Sequence, residues 1–187
     1  MPQPPYDPRA VANLLLDIAD RRKLGVSNLA LQKLLYFAHG HFLIRTGKPL
    51  VKGAFEAWTY GPVHPAVYQA FKSEEERHIK SRAMGQNVIT GAMVPLDAVD
   101  DPDVIHHLEQ VVWAYGHHSP GRLIDISHAS KGPWATGVNK SKTFVALGMR
   151  IPDSIILAQF KYHKVSVGKA EVVHRSTADG AASNRKW

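Results

Sequence analysis

Eleven histidines and no cysteine raise the first chemical question, whether the chain holds a metal ion or a catalytic base. The missing cysteine excludes a disulfide framework, a thiol nucleophile and any cysteine-ligated zinc or iron–sulfur centre. The histidine spacings assemble no ligand set, and there is no His-Glu-x-x-His. His39 and His41 stand two apart on a predicted helix, so they point about 200° apart and cannot share a metal. The adjacent pairs His106-His107 and His117-His118 fall at the start and just past the end of another predicted helix. Nucleophilic catalysis finds no better support. No Gly-x-Ser-x-Gly elbow occurs, and Ser127-His128 diverge on a helix. A P-loop and a Gly-x-Gly-x-x-Gly turn are both missing. The inventory points away from an enzyme, with no catalytic residue, metal or cofactor assigned.

Binding chemistry is better represented. Tyr36, Phe37, Phe42, Trp58, Tyr60, Tyr68 and Phe71 crowd into one short stretch. Such residues build either a core or a partner groove with aromatic anchors. The formal net charge of +7 is unevenly placed. Residues 1–130 balance at thirteen Lys/Arg and thirteen Asp/Glu, whereas residues 131–187 hold ten against three. Lys131, Lys140 and Lys142 lead this basic third, and Lys140-Ser141-Lys142 reads as a loop able to reach phosphates or an acidic protein. No helix-turn-helix or aromatic stacking platform accompanies the charge, so nucleic acid is not the favoured partner. No apolar run approaches the ~18 residues of a transmembrane helix. The first residues lack a basic and apolar leader, so the expected location is the cytoplasm.

These residues need elements to position them. Asp7 and Pro8 are an N-cap carboxylate and a first-turn proline. They open a helix over 8–23, with Arg21, Arg22 and Lys23 at its end and Gly25 as its stop. Ser27 caps a second helix over 28–45, with an apolar stripe of Leu31, Leu34, Leu35, Ala38 and Phe42. Gly40 inside it implies a close contact with another element. Residues 54–60 read as a strand, broken at Gly61-Pro62, and a helix over 65–73 ends early at the acidic run from Glu74. Val88-Ile89 and Met93-Val94 flank a weak hairpin turn. Further helices are predicted over 102–116, 120–129 and 153–162. A hairpin around Gly168 is a last candidate element.

The resulting fold class is mainly α: a compact bundle of about six helices with a small β element and a C-terminal extension. The divisions are an N-terminal arm, 1–7, a helical domain, 8–163, and a basic tail, 164–187, with room for that short hairpin.

Two stretches carry a family resemblance. The first is Leu31-Gln32-Lys33-Leu34-Leu35-Tyr36, followed by Glu56-Ala57-Trp58-Thr59-Tyr60-Gly61-Pro62-Val63. The second runs from Tyr115-Gly116 through Leu123 to His128 and on to Gly132-Pro133-Trp134. Together they resemble the Panacea antitoxin domain family, with its SocA-like and GepA-like members, over about residues 8–162. The resemblance implies the antitoxin of a bacterial toxin–antitoxin pair that neutralises its cognate toxin by direct protein–protein binding. In one branch it implies an adaptor that passes the toxin to a ClpXP-type protease. The alternative is a nucleic-acid-binding regulator using the basic C-terminal third. The family brings no catalytic residue. Ser127 departs from its usual threonine, and Ala129-Ser130-Lys131 replaces the acidic residues that often follow the histidine. The partner-binding candidates are Lys33, Tyr36, Trp58, Tyr60, His128 and Trp134. Lys131, Lys140 and Lys142 are candidates for phosphate or acidic-partner contacts.

Overall fold

A computed structural model describes residues 3–74, 76–143 and 149–163, with the backbone alone at 140–143. The predicted hairpin around Gly168 and the tail over 164–187 lie outside the described residues.

Helix starts follow the caps read from the sequence. The Asp7 carboxylate accepts the Arg9 backbone N–H at 2.8 Å and opens α1, Pro8–Arg21. Ser27 caps α2, Asn28–Thr46, and Asp101 caps α4, Pro102–Tyr115. Ser119 caps α5, Pro120–Ser127. Stops are less faithful to expectation. Helix α1 ends at Arg21, and Lys23, not Gly25, takes the left-handed turn at φ +58°. Tyr6 is no free arm residue. It is buried and pairs its backbone with Leu50 and Lys52.

Helix α2 is the axis of the molecule. It packs against α1, α4, α5 and α3, Pro65–Phe71. It also meets α7, Asp153–Gln159, which continues into a short 3-10 turn at Phe160–Tyr162. The apolar stripe foresaw one buried face. The helix is instead buried almost all round, with Gln32, Lys33, Tyr36, Phe37 and His39 inside as well. A helix surrounded on every side has no solvated face. Its polar side chains must therefore find partners on neighbouring elements.

Two of those partnerships tie the far end of the chain to the core. The Ile126 carbonyl can only accept, so His163 Nδ1 carries the proton and its Nε2 accepts the Tyr36 hydroxyl, both at 2.9 Å. Gly40 is the expected close contact. A Cβ at that position would overlap the Phe160 ring.

The β element has two parts. Strands β1, Phe55–Trp58, and β2, Gly61–Val63, form an antiparallel pair, joined on the other side of β1 by β5, Arg150–Ile151. Gly61-Pro62 thus does not end the extended segment; it starts the return strand. A separate hairpin pairs β3, Met84–Gln86, with β4, Met93–Pro95. Val88 and Ile89, expected in a strand, lie in its connecting loop, because Asn87 bonds back from Ala92 and caps the turn.

Residues 131–143 hold the main correction. The sequence places Lys140-Ser141-Lys142 in a loop and predicts no helix over this stretch. The chain instead forms α6, Pro133–Thr143, making a seventh α-helix among the described residues where about six were expected. A proline at the first helical position starts a helix as readily as it ends one.

Gly40→Ala is expected to lower stability by about 1–3 kcal/mol in urea unfolding, although alanine is the better helix former. With Phe160→Ala in the background the same change becomes neutral or stabilising. Burial holds His163 down at about 4, below its ordinary 6.5. The unfolded chain then binds more protons between those values, so stability rises with pH across that window. Acid titration of the folded chain is expected to show a loss of stability from about pH 6.5 to about 4. His163→Leu makes that loss shallower, while His41, His64 and His107, lowered in the same direction by burial, keep the remainder.

Candidate functional site

The sequence around the β1–β2 connection sets its shape. Trp58 pairs with Gly61, so only Thr59 and Tyr60 form the turn. Gly61 sits at φ +99°, a conformation that favours glycine. A Cβ there would lie 2.5 Å from Ser127 Oγ and 2.9 Å from Lys33 Nζ. Glycine is needed for both backbone and space.

Three elements grip this turn. From α2, Lys33 Nζ donates to the Pro62 carbonyl at 3.0 Å, and Gln32 Oε1 accepts the His64 backbone N–H at 2.8 Å. Gln32 is in turn oriented by Asn28, whose Oδ1 accepts from its amide at 3.2 Å. From α6, the Trp134 indole N–H donates to the Trp58 carbonyl at 2.8 Å. His128, which caps the end of α5, stacks on Trp134 at 3.7 Å between ring centroids and 10° between planes.

Electrostatics are unusual beneath the turn. Lys33 is fully buried, and burial holds its amine down at about 7. Burial also lowers His128, with the Lys33 charge acting in the same direction and Asp125 opposing it. His128 Nε2 is enclosed with no partner among the described residues. Burial thus shifts both the His128 ring and the Lys33 amine toward their uncharged forms.

Above the turn is an open groove of about 670 Å³. Its floor is the start of α2 at Asn28, Leu29 and Gln32, one wall is Trp58 to Tyr60 with Val63, and the other is Tyr68 and Lys72. Trp58 and Tyr68 meet edge to face at 4.8 Å, and Trp58 donates its indole N–H to Glu56 at 2.9 Å. Tyr60 is 63% exposed. The groove thus presents rigid aromatic surface with little side-chain entropy left to lose, the composition that binding hot spots favour.

The structure brings Lys33, Trp58, Tyr60, His128 and Trp134 to this one turn. It does not bring Tyr36 there. Tyr36 is fully buried and bonds to His163. Lys33 likewise has no exposed surface. Lys33 and Tyr36, three apart on α2, bond to different partners, Pro62 and His163. Lys131 is exposed just ahead of α6, and Lys140 and Lys142 fall in the last turns of that helix. Gln32 and Ser127 were not picked out as site residues. The signal for Gln32 was present: a polar Gln-Lys pair inside an apolar helical run. Ser127 is buried through its bond to the Ile124 carbonyl, which the sequence did not announce.

Among the described residues no group of three His, Asp or Glu side chains is placed to hold a metal ion. No helix of the described residues is long and apolar enough to cross a membrane.

Comparison with known proteins gives two findings. The family model described as "Antitoxin SocA-like, Panacea domain" matches residues 31–135, a span that opens on α2 beside Gln32 and Lys33 and closes just after Trp134. The chain is similar to Antitoxin SocA of Caulobacter vibrioides (strain NA1000 / CB15N), at 47% identity over 161 residues, which covers 86% of each chain. No solved structure matches.

Gly61→Ala is expected to lower stability by about 2–4 kcal/mol, from the forced left-handed backbone and the overlap below it. Thermal unfolding reads the loss. Adding Ser127→Ala recovers only the overlap with Ser127, because the close contact with Lys33 and the backbone strain of the alanine stay.

Proposed function

The chain belongs to the SocA-like Panacea antitoxin domain family, and from that premise we propose that it is the antitoxin of a bacterial toxin–antitoxin pair, neutralising a cognate toxin protein by direct contact. The observation that carries the contact is the aromatic groove at the β1–β2 turn. Trp58 and Tyr60 stand at a short turn gripped from two sides, and Tyr68 of α3 packs edge to face on Trp58, so the aromatic wall is formed before a partner arrives. Preorganised aromatic surface loses little entropy on binding.

Lys131, Lys140 and Lys142 supply the second part of the reading. They lie in the basic third of the sequence, where lysines outnumber acidic residues. Such charge speeds encounter with an acidic toxin face more than it tightens the final complex. Catalysis is not part of the proposed mechanism, and neutralisation follows from occupancy. Delivery of the held toxin to a ClpXP-type protease is a separate step, read by the toxin's half-life in cells with and without that protease. Nucleic acid is an outcome of the same test. Binding to DNA that weakens steeply with salt and needs residues 164–187 favours the regulator instead.

Co-expression with the toxin encoded by the adjacent gene is expected to restore growth, and the two proteins are expected to co-purify. Tyr60→Ala with Tyr68→Ala is expected to weaken the complex at least about tenfold, the loss of one aromatic hot spot or more, with the fold unchanged. Failure of the unaltered chain to protect cells contradicts the reading.

A further inference from the structure

Among the described residues the outer edge of β2 has no strand beside it and faces α2, since the sheet runs β2-β1-β5. Two adjacent side chains of α2 stand where a strand would be. Gln32 accepts the His64 N–H and Lys33 donates to the Pro62 carbonyl, one acceptor and one donor two residues apart along the edge. We propose that Lys33 is a positioning residue for partner binding: its amine, seated on the Pro62 carbonyl with no carboxylate beside it, holds the Trp58–Tyr60 turn in the form that the toxin binds. This rests on the reading of that turn as the toxin contact.

The choice of lysine is informative. A residue needed only to fill the core at this depth would be leucine or methionine. Lysine adds one donor at the end of a long stem, and the stem passes beneath Gly61 to reach Pro62. The surrounding groups leave that donor without an opposite charge. From α5 the neighbours are the Ser127 hydroxyl and His128, with Asp125 acting on His128. On β1 the Glu56 carboxylate accepts the Trp58 indole, and His64, after β2, bonds through its ring to the Lys52 carbonyl. On α2 itself the adjacent side chain is the uncharged Gln32. An ammonium in this place is a buried charge with a carbonyl acceptor but no counter-charge among the described residues, which is why burial holds the amine at about 7.

The direction of the pH effect follows. An opened turn exposes the amine, which then takes its ordinary value of about 10.4. The open form binds more protons between about 7 and 10.4, so rising pH favours the seated turn across that window and has no further effect below it. The seated turn is thus better held in mild alkali than at neutrality. Removing the amine removes the dependence.

Hydrogen exchange at residues 58–64, corrected for the intrinsic rate, tests this on the full chain without any partner. The opening constant is expected to fall at least about tenfold from pH 7 to pH 9, while amides of α1 and α4 do not follow it. Lys33→Met is expected to raise exchange at 58–64 and make it independent of pH. It is also expected to weaken toxin binding at pH 8 at least tenfold while the chain stays folded. A pH-independent turn in the unaltered chain overturns the inference. So does an equal response throughout the molecule, which assigns Lys33 to overall stability, or a Lys33→Met chain that binds toxin within twofold of the original. If the Met variant does not fold, the profile of the unaltered chain alone decides. If the unaltered chain binds no toxin, the proposed function fails and the exchange profile still decides the role of Lys33.

Discussion

A buried strand edge must be hydrogen-bonded, and among the described residues β2 has no strand on its outer side. The rest of the site depends on how α2 meets that need. Its Gln32 and Lys33 bond to His64 and Pro62 in the way a neighbouring strand would. This fixes where β2 lies against the central helix. It thereby fixes the two-residue turn that carries Tyr60, and the wall that Trp58 presents to the groove. Trp134 closes the turn from the opposite side through the Trp58 carbonyl, and His128 holds Trp134 flat. The two sequence stretches that resemble the family, far apart along the chain, are the two halves of one clamp.

The arrangement has an energetic consequence. A buried amine without a counter-charge is unfavourable, and it is tolerated because a carbonyl needs its donor. Removing the donor leaves the Pro62 oxygen unpaired at a cost of about 1–3 kcal/mol. Gly61 belongs to the same compromise. No side chain fits between the turn and the groups below it, so the closest approach of β2 to α2 and α5 requires glycine, which takes the positive φ without strain. The clamp is therefore local and specific, whereas the core around it, from Val11 to Phe160, is ordinary apolar packing.

How much of this was legible follows from what each residue declares locally. Asp7, Ser27, Asp101 and Ser119 announce helix starts because capping is a short-range interaction. Gly40 announced a close contact, though not that Phe160 makes it. His128 and Trp134 belong to one motif in the sequence, and the structure stacks their rings. Residues 131–143 misled because Pro133 is ambiguous between a break and a first turn, and the stretch carries Gly137 and several polar residues. Gly137 lets α6 lie close on Ala57 of β1, a tertiary contact no local pattern shows. Tyr36 was grouped with the binding residues because buried and interface aromatics share a composition. Only packing separates them, and it sends Tyr36 to His163. Lys33 drew attention as a charge on a helix, but its depth was invisible, since a single apolar stripe cannot reveal a helix buried on all sides.

The charge asymmetry of the sequence crosses this site: the net-neutral residues 1–130 supply most of the clamp and the groove, whereas Trp134 and Met149 come from the stretch where the excess positive charge begins at Lys131. The most direct test is hydrogen–deuterium exchange of the full chain with and without the toxin from the adjacent gene. The account predicts new protection at residues 58–64 and 68–72, around the aromatic groove. Protection confined to other surfaces, such as the β3–β4 hairpin or the exposed face of α4 at Trp113, contradicts it.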